Sequence, residues 1–318
     1  MKVFISRKIP DSAVKFLSGK EFEVDMFDSD DPVPENEFIR RARFADGIIT
    51  TLSDKVNRDF IIQLEKCQVI ANYAVGYNNI DLKSAANKGI IITNTPDILT
   101  DATADLAMAL LLACARRIPE GEKLVREGKF TGWQPMLLLG IDLKGKVLGI
   151  VGAGRIGQAV AKRATAFGLK VVYYSRNRKP GFESTGAGYL PLDELLKISD
   201  IISVHTPLTE ETFHLLNEKN LSLVKQTAII INTGRGEIID ENTLIGLLKE
   251  KRIFAAGLDV FENEPDIKKE FYALENVILL PHLGSAAEET RSKMAELCAE
   301  NIVNVLSGKP AITPVFPV

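Results

Sequence analysis

"LGIVGAGRIGQAVAKRATAFGLKVVYYSRNR", residues 148–178, reads as an apolar β run, a glycine-spaced turn, an amphipathic helix and a second apolar run. The glycines Gly152, Gly154 and Gly157 form GxGxxG. In that spacing the first permits a tight turn, the second lets backbone approach a pyrophosphate, and the third lets helix and strand pack closely. Ile156, Val160, Ala164 and Phe167 fall three or four residues apart, as one buried helix face requires. The helix start, at Arg155 and Ile156, then offers N–H groups and the positive end of its dipole to phosphate. A lone GxGxxG also marks ordinary turns; the strand-turn-helix-strand setting makes this stretch a dinucleotide site.

The second run ends in Ser175, Arg176, Asn177 and Arg178. A NAD site usually places a carboxylate there for the adenosine ribose hydroxyls. No acid occurs between Tyr173 and Gly181. Arg176 and Arg178 are therefore expected to hold a 2′-phosphate through their donor forks, with Ser175 adding a hydrogen bond. NADP(H) is the favoured cofactor, and NAD(H) stays open, because a missing repulsion does not reject NADH.

Working outward, further strand-like runs follow at 200–205, 227–232, 255–261 and 276–281, so the second region has six with 146–151 and 170–174. Before it, five runs stand at 2–6, 22–27, 47–50, 68–73 and 89–93, separated by polar segments of helix length. Continuous apolar runs alternating with helices predict parallel sheets covered on both faces. The fold expected is α/β: two Rossmann-like domains, a flavodoxin-like substrate domain and a dinucleotide-binding domain. The boundary falls near Pro96, with Thr100 or Asp101 as N-cap of the helix that follows. A last helical stretch covers 285–308.

Composition agrees. The 318 residues are 46% hydrophobic and 25% charged, with a formal net charge of -3. That is ordinary globular composition, long enough for two domains, without the basic field that draws nucleic acid. Cys67, Cys114 and Cys298 are too scattered for a disulfide scaffold or a CxxC metal site, and are expected in or near a core. With three histidines, His205, His214 and His282, no metal is expected. The N-terminal apolar run is too short for a signal peptide, and 106–115 is too short to span a bilayer. A cytoplasmic location without membrane contact is the expectation.

Three strand ends carry unusual polar residues. Arg235 sits in the glycine-flanked "NTGRGE", Asp259 and Glu264 in "LDVFENEPD", and His282 in "LPHLGSA". Ligands of open α/β sheets gather beyond the carboxyl ends of strands. The set suits reduction of a 2-keto acid by hydride transfer. Arg235 clamps the carboxylate and polarises the carbonyl. His282 gives a proton to the forming alkoxide, while Glu264 orients the imidazole and raises its pKa. Asp259 orients the nicotinamide or supports Arg235. In "ANYAVGYNNID" (71–81), Val75 and Gly76 offer N–H groups to the substrate carboxylate.

With "AVGYNNID", "NTPDILTDATADLAMALLLA", "GWQPMLLLGIDLKGKVLGIVGAGRIGQAVAKRA", "YYSRNRK", "HTPLTEET", "INTGRGEIIDENTL", "AAGLDVFENEP" and "LPHLGSA" in place, the chain resembles the D-isomer-specific 2-hydroxyacid dehydrogenase family, and within it the glyoxylate/hydroxypyruvate reductases. The resemblance implies catalytic roles for Arg235, Glu264 and His282. It implies substrate contacts at Leu52, Val75 and Gly76, and cofactor contacts at Arg155, Ile156, Ser175 to Arg178, Thr206, Pro207, Thr233, Asp259, Gly284 and Thr103. It also implies a discontinuous first domain, 1–98 with 286–318, around a dinucleotide domain at 99–285. The partner implied is a second copy, joined through the dinucleotide domains by an arm at "FTGWQPMLLLG" whose Trp133 reaches the other subunit's substrate. Two rival readings stand beside this one: a phosphoglycerate dehydrogenase or other 2-keto-acid reductase, and a nucleotide-sensing corepressor without turnover.

Overall fold

The computed structural model describes residues 1–317 and divides into two compact units, Met1–Leu99 together with the chain from Ser285, and Thr100–Gly284. The first unit opens with strands β1 (Lys2–Ile5), β2 (Glu23–Met26), β3 (Gly47–Thr50), β4 (Val69–Asn72) and β5 (Ile91–Thr93), with helices between them. The second holds β6 (Val147–Val151), β7 (Lys170–Tyr174), β8 (Gly188–Tyr189), β9 (Ile201–Val204), β10 (Ile229–Asn232), β11 (Ala255–Leu258) and β12 (Val277–Leu279). β13 (Pro314–Val315) follows in the part of the chain that returns to the first unit.

In the second unit the order is β12-β11-β10-β9-β6-β7-β8, parallel throughout. Its central strands β9, β10 and β11 are buried along their whole length, which is why they read as unbroken apolar runs. β6 lies between β7 and β9, so the chain reverses its direction of travel across the sheet there. Such a reversal opens a crevice beyond the carboxyl ends of the strands. The glycine turn leaves β6 at that point, and β9, β10, β11 and β12 deliver their following loops to the same edge.

The first unit's sheet runs β13-β5-β4-β3-β1-β2. Helix Glu288–Leu306 packs on it and buries Ala295, Cys298, Ala299 and Ile302. Burying one such isoleucine contributes about 1.5–3 kcal/mol. The seat requires Gly47, because a Cβ there would stand 3.0 Å from Ile302 Cδ1. A helix late in the chain thereby belongs to the domain that opens it.

The structure departs from the sequence expectation in particulars. β13 pairs antiparallel with β5, so this sheet is mixed and not purely parallel. β13 and β8 are two-residue strands containing Pro314 and Gly188, too short for an apolar run. Pro is tolerated there because β13 is an edge. Thr100 and Asp101 lie inside helix Thr100–Ala115 and do not cap it; Asp101 instead pairs with Arg163 at 2.9 Å. Val160 and Ala164 are buried and Ile156 packs on the core, but Phe167 is 45% exposed, since the helix Arg155–Ala166 ends before it. The three cysteines are free thiols, Cys114 and Cys298 buried and Cys67 half-buried. Burial pushes the Cys67 and Cys114 thiols up to about 12, so they stay protonated and unreactive. Among the described residues no helix is long and apolar enough to cross a membrane, and no cluster of side chains is arranged to hold a metal.

Candidate active site

Beyond β6, Gly152 and Gly157 sit where close packing leaves no room for a Cβ. A Cβ on Gly152, whose φ is +99, would stand 2.5 Å from Thr206 N, and one on Gly157 would collide with Gly152 O. Those two contacts press turn, helix and the loop after β9 together. Around the Cβ position of Gly154 there is no atom within 4 Å. Gly154 is also the N-cap of Arg155–Ala166 and brings no side-chain capping bond. An exposed glycine at an uncapped twelve-residue helix start, with open space on its Cβ side, fits a pyrophosphate. Arg155 is exposed and Ile156 half-buried at that start, the Thr206 backbone borders the turn from the loop after β9, and Pro207 follows it, exposed.

At the end of β7 the two arginines differ. Arg178 Nε and NH2 donate to Glu183 Oε1 and Oε2 at 3.0 and 2.5 Å, and its guanidinium lies 5.4 Å from the Tyr189 ring centroid. The Tyr173 hydroxyl donates to Glu183 at 2.7 Å and accepts from Lys179 N–H at 2.7 Å. The Arg178 pair, then the Tyr173 bond, pull the Glu183 carboxyl down to about 2. The 175–183 segment is thus wound around the buried Tyr173, with Arg178 exposed and paired to Glu183 at the surface. Arg176 is exposed, and Ser175 Oγ donates to Asn177 O at 2.6 Å.

Three loops carry the reactive set. After β10, Asn232 is buried and grips its own loop from both sides. Its Nδ2 donates to Arg235 O at 2.9 Å, and its Oδ1 accepts from Gly234 N–H at 3.0 Å. Arg235 is thereby fixed in extended backbone, half-buried. Burial lowers its pKa against the opposing pull of Glu264 and Glu237, yet a guanidinium stays charged at any working pH. After β12, His282 takes a positive φ of 55, and its Nδ1 stands 2.8 Å from Glu264 Oε2. With Nδ1–H donated to the carboxylate, Nε2 is the nitrogen left for proton exchange. Glu264 Oε1 accepts from Phe261 N–H at 2.9 Å. Burial works against the Glu264 charge, but His282, the Phe261 N–H and Arg235 outweigh it and hold the carboxyl below its ordinary value. That support for the imidazole is present at neutral pH and is lost as pH falls through the depressed value.

Asp259, 1% exposed, accepts from Leu283 N–H at 2.6 Å and Gly284 N–H at 2.8 Å, and its backbone oxygen accepts from His282 N–H at 3.0 Å. It therefore builds the turn that carries His282. Burial raises its pKa against those bonds. Thr103 Oγ1 ties the same turn by donating to Gly284 O at 3.0 Å. His205 follows β9, its Nε2 2.7 Å from Ser203 Oγ and its Nδ1 3.4 Å from Thr233 Oγ1. Burial pushes this imidazole down to about 3, so it stays neutral and joins the loops after β9 and β10 without exchanging protons near neutrality.

In the first unit, Val75 O and Gly76 O accept from the amides of Asn94 and Asn72, both at 2.8 Å. Those bonds orient the peptides of a half-buried loop. Leu52, at 40% exposure, lies at the start of the loop that follows β3. Trp133 is 84% exposed, and Phe130, Met136 and Leu139 on the same stretch are exposed with it.

Sequence reading missed several of these supports. Asn232 looked like the last residue of an apolar strand. Glu183 and Tyr173 gave no signal of a shared bond with Arg178. Nothing in the sequence signalled that Glu241, Glu262 and Lys268 meet.

Comparison with known proteins follows this geometry. Residues 108–284 match the family model described as D-isomer specific 2-hydroxyacid dehydrogenase, NAD binding domain. A glyoxylate reductase of Thermococcus litoralis is 50% identical over 313 residues, 97% of this chain and 94% of that one. A crystal structure of a Thermus thermophilus protein superposes with a TM-score of 0.95 at 44% identity, covering 99% and 100% of the two chains. An NADPH-dependent glyoxylate/hydroxypyruvate reductase of Sinorhizobium meliloti, solved with NADP and malonate, gives a TM-score of 0.87 at 34% identity over 99% and 96%.

Proposed function

This chain belongs to the D-isomer specific 2-hydroxyacid dehydrogenase family, and on that premise we propose that it reduces glyoxylate to glycolate, and hydroxypyruvate to D-glycerate, with NADPH favoured. It is an NAD(P)-dependent oxidoreductase of a small 2-keto or 2-hydroxy acid. The observation that supports the proton-transfer chemistry is the His282–Glu264 pair at 2.8 Å, with the charge of Arg235 acting on the same carboxylate, and the identity to glyoxylate reductases supports the choice of substrate.

The nicotinamide dinucleotide, when bound, supplies the hydride. Gly152, Gly154, Arg155, Ile156 and Gly157 would hold its pyrophosphate, Thr206, Pro207 and Thr233 would border it, and Thr103, Asp259 and Gly284 would shape the nicotinamide end. Arg235 holds the substrate carboxylate with two parallel donors and leans on the keto oxygen. As negative charge develops on that oxygen, the His282 Nε2 proton passes to it. Glu264 steadies the imidazolium before the transfer and keeps the ring in register. Within the first unit, Val75 and Gly76 are the proposed substrate-carboxylate loop, through backbone N–H groups, with Leu52 as a further proposed contact. Oxidation runs the same proton path backwards, with neutral His282 as base.

At the adenosine end, Arg176 carries the 2′-phosphate, Ser175 assists, and Arg178 contributes by holding the segment in shape, since Glu183 occupies its fork. Arg176→Asp is expected to raise the KM for NADPH about tenfold or more, a loss of about 1.4 kcal/mol per decade, and to spare NADH. Parallel KM measurements check this; equal effects on the two cofactors would remove the 2′-phosphate assignment. The apolar stretch Phe130–Leu139 is read as the face that meets a second copy. Sedimentation of the whole chain is then expected to give twice 35.0 kDa, and Trp133→Ser to shift it toward the monomer. A monomer at every concentration would contradict that. Steady-state reduction of glyoxylate by the purified chain tests the function itself.

A further inference from the structure

Beneath the reactive loops lies a charged cluster that no step above uses. Glu262, two residues before Glu264, is 14% exposed at its side chain, and Glu241 is 5% exposed. The two acids hold each other's backbone. Glu262 N–H donates to Glu241 Oε1 at 2.9 Å, and Glu241 N–H donates to Glu262 Oε1 at 3.1 Å. Lys268 Nζ reaches Glu262 Oε2 at 2.9 Å and Glu241 Oε2 at 3.5 Å. His214 Nε2 lies 2.9 Å from Glu262 Oε1, and His214 N–H donates to Glu237 O at 2.8 Å. The cluster therefore joins three loops: the one after β9, the one carrying Arg235, and the one carrying Glu264.

Two carboxylates this deep are costly unless fully paired, and each here is. What they secure is specific. A Cβ on Gly236, next to Arg235, would collide with the Phe261 carbonyl carbon and with Glu262 N. The Arg235 loop thus rests directly on the Phe261–Glu262 peptide. The N–H of Phe261 in turn donates to Glu264 Oε1, whose other oxygen holds His282. An unbroken line of bonds runs from Lys268 and His214, through Glu262 and Phe261, to Glu264 and His282.

We propose that Glu262, clamped by Glu241, Lys268 and His214, is a positioning residue for the reaction: it fixes the Phe261–Glu262 peptide, and through it both the Glu264 carboxylate against His282 and the seat of Arg235. The inference rests on the catalytic roles assigned above, but its test does not depend on which keto acid is turned over. In the whole enzyme with labelled histidine nitrogens, the Nδ1–H proton of His282, hydrogen-bonded to Glu264, gives an NMR signature. Glu264→Gln identifies it by moving it. Glu262→Ala is expected to move or broaden the same resonance, although it touches neither His282 nor Glu264. It is also expected to lower kcat about tenfold with little change in cofactor KM, because an ångström of misplacement near the chemistry is costly. The double variant Glu262→Ala/Glu264→Gln should then be about as slow as Glu264→Gln alone, since one acts through the other. Lys268→Met, which removes the shared cation and keeps both acids, gives the same reading if Glu262→Ala does not fold. A His282 resonance left in place by folded variants, or full additivity of the two substitutions, would overturn the proposal. Absence of glyoxylate turnover in the unaltered enzyme, with the resonance still moved by Glu262→Ala, would count against the substrate and leave the positioning role standing.

Discussion

Replacing His282 by alanine is expected to lower glyoxylate-reducing turnover by about 10²-fold or more with little loss of cofactor affinity. The reason is local. The imidazole is the group that Glu264 holds at 2.8 Å, on a turn that Asp259 ties with two short bonds to Leu283 and Gly284. Removing the ring leaves the turn and the glycine loop intact, because none of those bonds involves the side chain. What would disappear, in the proposed mechanism, is the proton for the alkoxide. Stopped-flow turnover and dinucleotide titration separate the two quantities. Near-normal turnover would remove His282 as the acid, and a parallel collapse of cofactor binding would make its role structural.

Arg235→Gln is expected to cost about 10²–10³ in kcat/KM, with both terms affected. In the proposed mechanism the guanidinium meets the substrate before and during the reaction, so its loss would weaken the ground state as well as the charged transition state. Burial already disfavours its charge, and the loop around it is held chiefly by the two Asn232 bonds, to which the guanidinium adds one from NH1 to Gly234 O at 2.8 Å. Glutamine therefore keeps the loop and loses the paired donors. Arg235→Lys should recover only part of the activity, because an ammonium cannot offer two parallel bonds. Rates with glyoxylate across the three forms check this. A lysine variant equal to the parent would mean that charge alone suffices.

The legible parts of this protein were those written in continuous stretches. β6, the glycine turn, the helix from Arg155 and β7 appear in order because each is specified by its neighbours. The fully buried β9, β10 and β11 appear as apolar runs for the same reason. The short edges β8 and β13 bury too little to leave a pattern. Arg235, Glu264 and His282 stood out because charged residues directly after buried strands are unusual. That Glu264 and His282 touch depends on β11 and β12 being neighbours, which spacing does not encode. Pairs between distant acids and bases were invisible altogether. Nothing in "FENEP" separates Glu262, which faces inward to Lys268 and Glu241, from an acid in water. The capture of Arg178 by Glu183 escaped likewise, since it needs Tyr173 at the centre of the turn.

NADPH-dependent reduction of glyoxylate is tested by steady-state kinetics with NADPH and NADH side by side. Turnover is expected with both cofactors, with a markedly higher kcat/KM for NADPH. No turnover with either would contradict the substrate reading, and a preference for NADH would contradict the role given to Ser175 and Arg176.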